Sequence, residues 1–192
     1  MPQLVLASAS PRRRELLSAA GVDFVVDVSD VPEIPQPQEG PVEFARRLAR
    51  AKAQAVAARH RDAYVLGADT VVALGHRIFG KPVDSDEARQ MLQSLSGQTH
   101  QVITAVALVD PNGIVDGVFV STDVTFRQLS AAEIDAYVAS GEPSDKAGAY
   151  AIQGGAGAFV VQVDGSYPNV VGLPIDEVLE LLRSKALLAA QP

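Results

Sequence analysis

Tyr64-Val65-Leu66-Gly67-Ala68-Asp69-Thr70-Val71-Val72-Ala73-Leu74 is a continuous apolar run with a single carboxylate near its middle. Such a run reads as a strand buried on both faces, at the centre of a sheet. Asp69 is the odd residue in it. A charge inside a buried strand is costly unless it is paired, hydrogen-bonded or metal-bound. Two readings stand side by side: a structural Asp anchored by Thr70 or a lysine, and a functional acid, since odd buried acids cluster at sites.

Working outward, Leu4–Ala7 reads as a short strand, and Ser10-Pro11 as the cap and first residue of a helix that stops at Gly21. Arg12, Arg13 and Arg14 fall in its first turn, beside the positive end of the helix dipole. A cation there is unfavourable by roughly 0.3–1 kcal/mol. Free N–H groups, serine hydroxyls and guanidinium forks at a helix start would receive a phosphate; a solvated basic turn paired with Glu15 is the alternative. Asp23–Val28 reads as a strand. Prolines 32, 35, 37 and 41 mark an extended loop that carries Glu33. A helix is expected from Pro41 to His60, with Phe44, Leu48, Ala51 and Ala55 on one face and Lys52 at its edge, its stem crossing apolar surface.

Beyond the central strand, Gly75–Arg77 is a turn leading to Ile78–Pro82, which contains Lys81. Asp84 with Glu87, and Ser130 with Glu133, have the spacing of capping boxes that open two helices, ending near Gly97 and Gly141. Between them, Thr99–Asp110 and Ile114–Leu129 read as strands joined at Pro111-Asn112-Gly113. After Asp145, glycines punctuate the apolar segments Ala149–Ile152 and Ala158–Val163. A last helix is expected from about Pro174, running into a loose Ala-rich tail. Crossover helices mixed with hairpins favour an α/β fold, read as one domain over residues 1–192.

Composition narrows the function. The chain has 192 residues, no cysteine and a net charge of −7. Disulfides and thiolate metal sites are excluded, broad electrostatic binding to nucleic acid is disfavoured, and a reducing cytoplasm is compatible. No apolar run reaches membrane-spanning length, and the start lacks the long apolar region of a signal peptide, so neither membrane nor export is expected. His60, His76 and His100 are scattered and read as surface or supporting residues, not ligands. Gly80-Lys81-Pro82 lacks the spacing of a P-loop, and Gly155–Val160 that of a dinucleotide fingerprint. Two carboxylates, Glu33 and Asp69, without sulfur or clustered imidazole suit a hard cation such as Mg²⁺. Together with the arginine turn and the lysines, these parts suit metal-assisted hydrolysis of a phosphoanhydride.

Several short motifs also resemble those of one family, in family order. They are Ser8-Ala9-Ser10-Pro11-Arg12-Arg13, Gly67-Ala68-Asp69-Thr70, Gly80-Lys81-Pro82, Leu95–His100, Asp145-Lys146-Ala147-Gly148-Ala149-Tyr150, Ile152-Gln153-Gly154 and Gly165–Pro174. The chain resembles the Maf nucleoside triphosphate pyrophosphatases along nearly its whole length. The resemblance implies an inosine-triphosphatase-like α/β fold: an elongated mixed sheet in two lobes with flanking helices and a nucleotide cleft between them. It implies hydrolysis between the α- and β-phosphates, a Mg²⁺ or Mn²⁺ cofactor held by Glu33 and Asp69, and a homodimer. Asp69 matches the family's proton acceptor, and Glu33 its metal-associated acid. Ser8, Arg12, Arg13, Lys52 and Lys81 match phosphate-binding positions. Arg12, Thr70 and Gln153 resemble the specificity positions of the dTTP/UTP branch, where a glutamine amide suits the imide edge of thymine or uracil. The same chemistry on another nucleotide such as 7-methyl-GTP, and a nucleotide-binding division regulator with little turnover, are the other readings.

Overall fold

The computed structural model describes residues 3–188. In chain order its strands are β1 (Leu4–Leu6), β2 (Val25–Val26), β3 (Tyr64–Leu74), β4 (Arg77–Phe79), β5 (Thr99–Val109), β6 (Val115–Phe126) and β7 (Val160–Asp164). The α-helices are α1 (Pro11–Ala19), α2 (Pro41–Ala57), α3 (Ser85–Leu95), α4 (Ala131–Ala139), α5 (Tyr167–Val171) and α6 (Ile175–Ser184). The expected elements are present, with three differences of extent. The second strand shrinks to two residues at the sheet edge, α2 stops three residues short of His60, and an unexpected short helix, α5, precedes the expected last helix, α6. The end of the expected Ala-rich tail, residues 189–192, lies outside the described residues.

One seven-stranded mixed sheet runs β2-β1-β3-β5-β6-β7, with β4 pairing β3 as well. β1 lies parallel to β3 over Leu4–Leu6 and Tyr64–Leu66. β5 takes the whole opposite edge of β3, from Val65 to Ala73. β4 therefore shares the edge that β1 occupies, and it pairs there only with Val72–Leu74. The edge between them, from Gly67 to Val71, has no strand partner. That gap in an otherwise continuous sheet is where Asp69 and Thr70 sit.

Alternation along β3 sends odd and even residues to different faces. Val65, Val71 and Ala73 pack under α2 with Phe44, Leu48 and Ala53. Gly67 permits this contact, since a Cβ there would lie 2.3 Å from the Ala49 carbonyl oxygen and 2.7 Å from the Ala53 nitrogen. The even face carries two separate cores. Leu66, Ala68, Val106 and Leu108 pack against α1 and α6, whereas Val72, Val102, Val124 and Phe126 pack against α3 and α4. A buried polar belt parts them. Thr70 and Thr104 share a hydrogen bond (2.9 Å), Thr104 donates to the Asn169 carbonyl (3.2 Å), and the Asn169 amide reaches Val102 O and Thr122 Oγ1 (2.9 Å each). This belt seats α5 on the middle of the sheet and divides the even face into two lobes.

Candidate active site

Ser8 follows β1 into the gap, and Lys81 follows β4 into it from the other end. Both line one cavity of about 490 Å³, together with Arg12, Arg13, Glu33, Lys52, Asp69 and Thr70. Its volume is in the range of small-molecule sites. Residues drawn from five separate stretches of sequence are thus brought to one crevice.

Asp69 is 5% exposed and Lys52 8% exposed. The close seating of α2 over Gly67 carries the Lys52 ammonium to 2.6 Å from Asp69 Oδ1, and the same ammonium lies 2.6 Å from Glu33 Oε1. Lys81 Nζ donates to the other Glu33 oxygen at 3.2 Å. The proline-rich loop therefore folds over Asp69, and Glu33 is its hook. Arg47 of α2 anchors the loop further on, through Glu39 and the Ile34 carbonyl (3.0 Å).

The two acids are pushed in opposite directions. Burial raises the Asp69 pKa above the usual aspartate value, outweighing the attraction of Lys52 and Arg13. For Glu33 burial also acts upward, but the bonds and charges of Lys52 and Lys81 hold its carboxyl below the ordinary glutamate value. Such a divergent pair suits a division of labour, one group exchanging a proton and the other staying charged.

Arg13, expected as a phosphate fork, lines the cavity with most of its donors already engaged. It is buried, and its guanidinium donates to Gly172 O (2.9 Å), Ala68 O (2.8 Å), Ser8 Oγ (3.1 Å) and Thr70 Oγ1 (3.0 Å). Four of its five N–H donors are spent on protein. These bonds offset the unfavourable position of a cation in the first turn, and one of them satisfies a β3 carbonyl in the strand gap. Arg12 lines the cavity half-buried, and its guanidinium makes no hydrogen bond among the described residues. Thr70 lines it too, but its hydroxyl is engaged by Arg13, Thr104 and the Gly172 carbonyl. Gln153 stands apart: it is exposed, on the loop before the 3₁₀ turn of Gly155–Phe159, and does not line the cavity.

Asp145, Lys146 and Tyr150, quoted above only as part of a motif and given no role, also line the cavity. No local signal places that stretch beside β3, although its glycine spacing marks a tight turn. His100, expected at the surface or in support, is 1% exposed. Its Nε2 lies 2.8 Å from the Tyr150 hydroxyl, and burial pushes its pKa down to about 4, so it is neutral.

Among the described residues no group of three or more His, Cys, Asp or Glu side chains could hold a metal ion. Glu33 and Asp69 nonetheless fit one. They already converge on a single cation, the Lys52 ammonium, and Mg²⁺ characteristically takes one or two carboxylates and completes its shell with substrate phosphates and water. No helix among the described residues is long and apolar enough to cross a membrane.

The family model described as Maf-like protein matches residues 3–185. A dTTP/UTP pyrophosphatase of Geobacter sulfurreducens is 56% identical over 184 residues, covering 94% of this chain and 95% of that protein. Another, of Escherichia coli O157:H7, is 56% identical over 183 residues, covering 95% and 92%. Among solved structures, a HAM1 protein from Coxiella burnetii aligns with a TM-score of 0.51 at 17% identity, covering 96% of this chain and all of that one, a likeness of fold. The family match over residues 3–185, with relatives 56% identical along nearly the whole chain, shows that the chain belongs to the Maf-like protein family.

Proposed function

We propose that this chain is a nucleoside triphosphate pyrophosphatase that hydrolyses dTTP and UTP to the monophosphate and pyrophosphate. The observation that carries the reading is the Asp69–Lys52–Glu33 group: a buried carboxylate of raised pKa, tethered to an ammonium, at the base of a cation-lined cleft. The names of relatives sharing more than half of the sequence supply the substrate class.

In this scheme Arg12, Lys81 and Ser8 hold the triphosphate, and their charge offsets what develops on the phosphate oxygens. Water attacks the α-phosphorus, the bond from that phosphorus to the bridging oxygen breaks, and pyrophosphate departs with that oxygen. Asp69 accepts the water proton. Lys52 keeps the Asp69 carboxylate aimed, and Glu33 remains ionised beside it. A Mg²⁺ or Mn²⁺ ion held by Glu33, Asp69 and the substrate would neutralise the phosphates and polarise the reacting centre. Arg13 and Thr70 serve as the frame that sets Ser8 and the gap in β3. Gln153 keeps its assignment to the base only if its loop closes over a bound nucleotide. We further read residues 1–192 as one catalytic unit, a cytoplasmic homodimer that acts on free nucleotides and not on nucleic acid or membrane.

The test is a panel of triphosphates with Mg²⁺ and product identification. TMP or UMP with pyrophosphate is expected; a diphosphate with orthophosphate would refute the cleavage site, 7-methyl-GMP as the preferred product would refute the base, and binding without product would indicate a regulator. Asp69→Asn should lower turnover by about 10²–10⁴-fold while the fold persists. In the wild type, the acid limb of the rate profile should have its midpoint above the ordinary aspartate value, because the base works only when deprotonated.

A further inference from the structure

Lys146 lines the cleft, and the scheme above leaves it without a task. Its backbone is set by two contacts. Gly148 N–H donates to the Gly80 carbonyl at 3.0 Å, next to Lys81. Gly148 also lies against Val72 of β3 with φ +68°, where a Cβ would come within 2.9 Å of the valine side chain. The turn is therefore fastened to the central strand and to the segment that carries Lys81.

The side chain is held more loosely. Lys146 is 19% exposed, and its partner is the neighbouring Asp145, which is 75% exposed. An ion pair whose carboxylate is this open to solvent is screened by salt and contributes little. Lys52, by contrast, is buried between two carboxylates. Asp145 is held below the usual aspartate value first by its bond to Lys146, with the charge of Arg12 adding to it. Its carboxylate is thus a counter-ion that serves cleft cations, and a polyphosphate with several charges can replace it.

We infer that Lys146 is a further phosphate-binding residue of this cleft, moving from Asp145 to the polyphosphate when a triphosphate enters. The inference rests on the pyrophosphatase reading for the class of ligand, but not for its hydrolysis. Calorimetric titration of the whole chain with inorganic tripolyphosphate tests it, in the wild type, Lys146→Gln, Lys146→Arg and Asp145→Asn. Lys146→Gln should weaken binding about tenfold and make its salt dependence shallower. Lys146→Arg should stay within about threefold of wild type, and Asp145→Asn should bind as tightly as wild type or more so.

Unchanged affinity in Lys146→Gln would overturn the assignment, as would weaker binding in Asp145→Asn or a wild type that does not bind tripolyphosphate. Should Lys146→Gln fail to fold, the arginine and asparagine variants decide between the same outcomes. A wild type that binds tripolyphosphate but cleaves no nucleotide would refute the hydrolase reading and leave Lys146 to be judged by its own variants.

Discussion

Arg13 shows how one side chain resolves a local conflict. Three successive arginines at a helix start look like a receptor for an anion, because nothing within the segment compensates the second one. In the folded chain its guanidinium instead joins four points: Ser8 after β1, Ala68 and Thr70 on β3, and Gly172 after α5. A planar fork meets these acceptors at once, and a lysine cannot. Arg13→Lys should therefore destabilise the protein by about 3–5 kcal/mol, seen as a lower urea midpoint with an unchanged m-value, since buried acceptors lose their charged donor. A loss below 1 kcal/mol would mean that the fork is dispensable. The neighbouring Arg12 side chain lacks such ties, so the two residues, equivalent in a sequence motif, differ in burial and hydrogen bonding.

At the scale of elements, the decisive contact is α2 on β3. The helix approaches at Gly67 so closely that its backbone occupies the place of a Cβ, and this approach sets the Lys52 ammonium on Asp69. Gly67→Ala should cost about 1–3 kcal/mol of stability through overpacking. It should also lower activity more than stability accounts for, because Lys52 is displaced from the carboxylate. Unaltered kinetics at a reduced melting temperature would separate packing from positioning and contradict that link. Helix starts were legible here because capping is local. Ser130 and Glu133 form the full box. At Asp84 the box is shifted by one residue, Glu87 reaching back to the Val83 N–H at 2.7 Å. The short helix α5 was not legible: five residues with no amphipathic period form it, and what fixes it is the polar belt of Thr104, Thr122 and Asn169, whose partners lie 44 to 67 positions away.

For the whole molecule, the core under α2 seats the Asp69–Lys52 pair, and two further cores parted by the polar belt fill the even face. His100 lies in the core of α3 and α4, beside Phe126 and Tyr150. Its folded pKa of about 4 is below the unfolded value of 6.5, so its contribution is complete above pH 6.5 and is lost as pH falls toward 4. The loss amounts to roughly 3 kcal/mol. Half-buried Asp27 and Glu133, held at about 2 mainly by Arg59 and Arg127, lose theirs only at lower pH as the carboxylates protonate. His100→Phe should accordingly flatten the stability profile between pH 6.5 and 4.5, measured by urea unfolding; an unchanged slope would show that His100 is not the titrating group. The sequence by itself determined the α/β class, the central strand, the helix caps and the oddity of Asp69, because periodicity, capping and a charge in an apolar run are written within short windows, whereas Glu33, Lys52 and Lys81 were joined to Asp69 only through the family resemblance. Only the tertiary structure decided that β1 and β4 leave a gap on one edge of β3, that Arg13 is committed to the frame, that Lys146 enters the cleft and that Gln153 stands outside it. Each of those outcomes depends on which distant backbone and side-chain groups satisfy a buried donor or acceptor, and that pairing exists only once the chain has closed on itself.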